Sequence, residues 1–171
     1  MSPTDSRVLF DATDYVKADD GTYVTLRTTL TYDPAAGTYT KTVVDATGGL
    51  LESVQSGVAV VGPTPEEASA ARALIESHPE LAALMAGAEG DVQIEGGFPL
   101  IREEGHGCGP GSRCLQYDIY ATTPGVRAAE RIRYVVVDLR AQRVFDADFD
   151  VLNEGNLAHP AARAQSRSAD R

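Results

Sequence analysis

The sequence has no tryptophan, and aromatic residues make up only 6 % of it, so a core must rest on Val, Leu, Ile and Ala. Long apolar runs are missing too. No stretch approaches the roughly 18 apolar residues of a membrane-spanning helix, which argues against membrane insertion. Positive charge is scarce: 15 Lys and Arg against 25 Asp and Glu leave a formal net charge of −10. Such a surface repels phosphate backbones, so no nucleic acid is expected as a partner. A cationic partner and simple solubility both stay open. Familiar catalytic signatures are absent: there is no G-x-S-x-G, no H-E-x-x-H, no P-loop and no G-x-G-x-x-G behind a strand. That gives no reason to propose an enzyme, and no cofactor is expected. The opening "MSPTDSRVLF" has neither a basic stretch nor the apolar run of a signal peptide. The chain therefore reads either as the mature part of an exported protein, extracellular or periplasmic, or as a cytoplasmic one.

What is present suits a globular protein. The 171 residues imply one domain over residues 1–158, with 43 % apolar and 23 % charged residues. Strand-like alternation starts in "TYVTLRTTLTY", where Val24, Leu26, Leu30 and Tyr32 alternate with Thr and Arg. "DPAAGT" is a turn, and "YTKTVVDATGGLLESVQSGVAVV" holds two further strands broken at "DATGG". Gly48 and Gly49 can both take the positive φ of a tight hairpin. Three strands are thus expected over about 23–61.

Helices follow over about 65–86. "TPEEASAARALIES" opens with Thr64 as N-cap, Pro65 at the first helical position and Glu67 three residues after the cap, a capping box. Glu66 and Glu67 serve the positive end of the helix dipole better than they serve acid–base chemistry. Ala68, Ala71, Leu74 and Ile75 share a face. Pro79 breaks the helix at His78, which reads as a surface or capping histidine, and "LAALM" forms a second short helix with Gly87 just past its end.

The pattern returns to β over about 91–151. "DVQIEGG" and "CLQYDIYA" alternate, and "RIRYVVVDL" carries three consecutive Val, the mark of a central strand buried on both faces. "RVFDADFDV" is its partner. Asp146, Asp148 and Asp150 would share one face there; without Gly at the sixth position or Glu at the twelfth they do not form an EF-hand loop, and a solvated edge strand explains them. Residues 159–171 have no apolar periodicity and read as a disordered tail. The fold class expected is α+β, one antiparallel sheet with a broken helix packed on one face.

Two segments echo each other. "TVVDATGGLLES" at 42–53 and "VVVDLRAQRVFD" at 135–146 both run strand, Asp, short turn, strand. "TPEEASAARALIESHPELAALMAG", followed by strands ending in "VVVDLRAQRVFDADF", resembles the cystatin-like α+β unit of PepSY domains. It is similar, too, to the non-catalytic N-terminal domains of copper amine oxidases. The resemblance covers roughly residues 64–150 and implies an exported, non-enzymatic module used for binding, inhibition or assembly, with no catalytic residues to carry over. The three strands before the helix and the Gly/Cys insertion depart from that pattern.

The insertion, "HGCGPGSRC", holds both cysteines and one of three histidines. Gly109, Pro110 and Gly111 let the chain reverse between Cys108 and Cys114, within the about 5.5 Å a disulfide needs. Closing so short a loop contributes about 2 kcal/mol by chain entropy. Two neighbouring cysteines with none spare suit an exported protein. A metal site from His106, Cys108 and Cys114 is a second reading; zinc wants four ligands, and only Glu103 and Glu104 lie near enough to add one. A redox-active thiol pair is the third, although the spacing is not C-x-x-C and only Arg113 adjoins to lower a thiol pKa. The leading function is a non-enzymatic exported module that binds a protein or small ligand, or inhibits an enzyme, through a sheet face or the Cys108–Cys114 loop. The alternative is a thiol-redox or metal-binding protein using His106, Cys108 and Cys114. Partner identity and oligomeric state are not legible.

Overall fold

The computed structural model describes residues 5–105, 107–122, 125 and 129–146. In chain order the described elements are β1 (Arg7–Lys17), β2 (Tyr23–Asp33), β3 (Thr38–Asp45), β4 (Leu50–Ser56), α1 (Pro65–Ser77), α2 (Pro79–Gly87), β5 (Asp91–Leu100), β6 (Cys114–Thr122), β7 (Glu130–Asp138) and β8 (Arg143–Asp146). The strands form two four-stranded antiparallel sheets, ordered β1-β2-β3-β4 and β5-β6-β7-β8. The single-sheet α+β expectation is thereby overturned. Among the described residues strand makes up 50 % and helix 16 %, and the N-terminal strands make a sheet of their own.

The strand β1 went unread for a physical reason. Its register slips between Val8 and Phe10, so Leu9 is an extra residue. A bulge shifts the alternation by one, and the period-two pattern is lost from "RVLFDATDYVK". The next three strands start and turn close to expectation, except that β4 stops at Ser56, short of the expected end at 61. Their turns follow from side-chain chemistry. Asp45 Oδ1 accepts from the backbone N–H groups of Thr47 and Gly49, and only Gly48 takes positive φ.

The capping box is formed. Thr64 Oγ1 accepts from the Glu67 N–H and Glu67 Oε2 accepts from the Thr64 N–H, each at 3.2 Å. His78, held at φ −72°, ψ 121° before Pro79, ends one helix and begins the next without a side-chain cap bond. Gly87 differs from expectation: it is the last residue of α2, and Ala88 is the cap.

The second sheet is covered on both faces. On one face Ala71, Ile75 and Leu81 of the helices pack on Ile94, Leu115, Tyr117, Ile119, Val135 and Val137. On the other, Cys108 and Cys114 pack on Leu100 and Val136. This two-sided burial is what the triple valine of β7 encodes. The first sheet has a far smaller core: Leu9, Tyr32 and Tyr39 beneath Ala59 and Val61 of the connection between the sheets.

Candidate functional site

Cys108 and Cys114 form a disulfide with Cα atoms 5.6 Å apart, and both are buried. Cys114 opens β6, so the link fixes where that strand begins. A disulfide sulfur offers neither a thiolate ligand nor a nucleophile. His106, Asp148 and Asp150 lie outside the described residues, as does the tail at 159–171. Glu103 and Glu104 are exposed, and among the described residues no group of three or more His, Cys, Asp and Glu is arranged to hold a metal ion.

The loop between the cysteines is the junction of the two sheets. The Gly111 N–H donates to Gly57 O at 2.6 Å. The Tyr32 hydroxyl donates to Gly111 O and the Tyr39 hydroxyl to Ser112 O, both at 2.9 Å. Arg140 spans the same gap, donating to Gly111 O and to Ala35 O at 3.1 Å each. The approach is close enough to require glycine: a Cβ on Gly37 would sit 2.4 Å from Arg140 Nη1 and 3.0 Å from Gly111 O. Tyr32 and Tyr39 stack with centroids 4.5 Å apart, and the Arg7 guanidinium lies over the Tyr32 ring.

Arg113 is the centre of this junction. Its side chain is 1 % exposed, and its guanidinium grips Glu67 with two bonds, Nε to Oε1 at 3.1 Å and Nη2 to Oε2 at 2.7 Å. It also donates to Val61 O at 3.0 Å and Gly62 O at 2.8 Å. Arg7, from the first sheet, brings Nε within 3.1 Å of Glu67 Oε1. One capping carboxylate thus joins β1, α1 and the disulfide loop. Burial alone would pull the Arg113 pKa down; its bonds to Glu67 outweigh that and raise it. Burial pushes Tyr39 up to about 12 and Tyr32 higher still, the neighbouring Tyr39 adding to the effect on Tyr32.

Two hollows adjoin these elements. One is a small gap beside the junction between Tyr39, Val58, Leu100 and Arg113. The other is a shallow depression between α1 and β5 lined by Arg72, Glu76, Gln93 and Glu95. The guanidinium at the first is committed to Glu67 and two carbonyls, so the arrangement holds the fold together and offers no reactive group.

Local sequence patterns do not disclose Arg7, Tyr32, Tyr39, Arg113 and Arg140 as a group. Glu67 was legible as a cap, but nothing in the local pattern shows that its carboxylate also meets an arginine 46 positions away. No family model matches the sequence, and no curated protein matches it either.

Outside the junction, nine of the twelve exposed large apolar side chains among the described residues stand on β1, β2 and β4 of the first sheet. Paired residues share a face, so the face bearing Tyr32 and Tyr39 continues through Phe10–Leu30–Lys41–Val54 and Ala12–Thr28–Val43–Glu52 to Asp14–Leu26–Asp45 and Val16–Val24. Phe10, Val16, Val24 and Val54 are each more than 40 % exposed along it. Three carboxylates, Asp14, Asp45 and Glu52, stand among them with one cation, Lys41.

Proposed function

We propose that the chain is a non-catalytic binding module of an oxidising compartment, which presents the open face of its first sheet to a protein partner. The observation that carries this is the apolar face continuing beyond Tyr32 and Tyr39. Covered sheets need no such residues on the solvent side, and contiguous apolar surface rimmed by polar groups marks interaction sites. The carboxylates on the face, together with the net charge of −10, favour a partner bringing basic as well as apolar side chains. The second sheet, its helices and the disulfide loop act as the frame. The buried disulfide supports the oxidising compartment. No described helix is long and apolar enough to cross a membrane.

Capture experiments with the immobilised chain test the reading. Proteins from the secreted fraction of the source cells should be retained by the parent chain and by Tyr15→Lys on the opposite face. They should be lost with Val24→Lys. Retention by all three, or by none, would sink the proposal. The competing thiol reading is checked by titrating free thiols in the non-reduced protein, where none are expected.

A further inference from the structure

Each sheet ends in two edge strands, and an open edge is a template for another strand unless something blocks it. Three of the four described edges are blocked. The bulge at Leu9 interrupts β1, which also carries Asp11, Asp14 and Lys17. A bulge at Gly97 interrupts β5, which also carries Pro99 and Glu95. The described stretch of the last, β8, is four residues long. The fourth edge, β4, is the most open: a bulge at Leu51 breaks only its start, and residues 52–56 run regular. "LLESVQS" contains no proline and a single charge, Glu52, whose carboxylate accepts from Lys41 Nζ of β3 at 2.8 Å. Leu50, Leu51 and Val54 on it are 64 %, 58 % and 48 % exposed.

We infer that the open edge of β4 pairs antiparallel with the same edge of a second copy of this chain, about a two-fold axis at Val54. The occupant follows from the register. The irregularity opposite Val43 and Val44 takes up Leu51 and leaves residues 52–56 regular. Folding that stretch back on its own copy sets Val54 against Val54, Ser53 against Gln55 and Glu52 against Ser56. A β-branched pair sits on the axis, the polar pairs can hydrogen-bond, and no like charges stand opposite each other. The axis is perpendicular to the sheet, so the two first sheets become one of eight strands with both tyrosine-bearing faces on the same side. The contact is small and each copy carries a charge of −10, so association is weak and strengthens as salt screens the repulsion. This inference rests on the strand edge and stands whether or not the face binds a partner.

Sedimentation of the full chain over rising concentration, at low and high salt, tests it. The average mass should climb toward twice the monomer value, and at lower concentration in high salt. Val54→Lys places two cations on the axis and should weaken association at least ten-fold with an unchanged circular dichroism spectrum. Val24→Lys, equally exposed but on an interior strand, should associate like the parent. On oxidation Val54→Cys should give a covalent dimer, and Val24→Cys should not. A chain that stays monomeric throughout overturns the inference. So does association lost with Val24→Lys and kept with Val54→Lys, which would put the contact on the face.

Discussion

Arg113 shows how one residue can hold separate layers together. A buried ion pair is a poor source of net stability compared with apolar packing, but removing one partner strands the other. Arg113→Met should therefore cost about 3–5 kcal/mol, because the Glu67 carboxylate stays buried with half its bonds gone. The double variant Arg113→Met, Glu67→Met should be the more stable of the two, as urea unfolding midpoints would show. A double variant no better than the single would mean that packing of the arginine stem, and not charge, dominates. The tyrosines make a second residue-scale claim. Tyr39 titrates at 10.0 when exposed and at about 12 when folded. A raised pKa keeps its contribution below the unfolded value and loses it as pH climbs through the folded one. Stability should thus hold to about pH 10 and fall toward 12, followed by tyrosinate absorbance beside circular dichroism. Burial puts Tyr134 on the second sheet in the same range, about 12. Phenolate appearing well before any loss of structure would contradict this.

Among elements, the two sheets differ in how they are held. Val135, Val136 and Val137 of β7 are fully buried, while β4 is exposed along nearly its whole length. Local opening follows burial, so amides of β6 and β7 should exchange last and those of β4 first. Equal protection across both sheets would show that the junction at Arg113 and Glu67, and not the core, sets stability throughout. The elements also differ in how far the sequence disclosed them. The helix start was legible because a capping box is local chemistry: Thr64, Pro65 and Glu67 meet within one turn. The valines of β7 were legible because two-sided burial writes itself into consecutive residues. The strand β1 was not, since the bulge at Leu9 breaks the alternation. The echo between 42–53 and 135–146 has a local basis. Asp45 and Asp138 each accept backbone N–H bonds of the turn that follows, before the last strand of their sheets.

For the whole molecule, the separation into two sheets was beyond the sequence because it depends on contacts between distant segments. Tyr32 read as one residue of a half-buried alternating strand and Tyr39 carried no local signal, yet their hydroxyls reach a loop more than 70 positions away. Of the three readings of the loop, the disulfide is the one the placement of Cys108 and Cys114 fits, and the docking role of the loop was not visible. Replacing both cysteines with serine should lower stability by about 2 kcal/mol. It should also move the Tyr39 titration to lower pH, as the loop that buries the phenol loosens. An unchanged titration would mean that the loop keeps its place without the link.

The junction between the sheets also has a cost in time. Each hairpin joins strands adjacent in the chain and closes in about 1–10 μs, whereas Arg113 reaches Glu67 46 positions away and Arg140 reaches Ala35 105 positions away. During synthesis at about 5–20 residues per second, Arg113 follows Ser56 by roughly 3–11 s. For that interval the first sheet is complete but undocked, with its valines and the β4 edge open to neighbouring chains. A chaperone that shields residues 7–56 until the loop arrives should therefore raise the yield of folded protein.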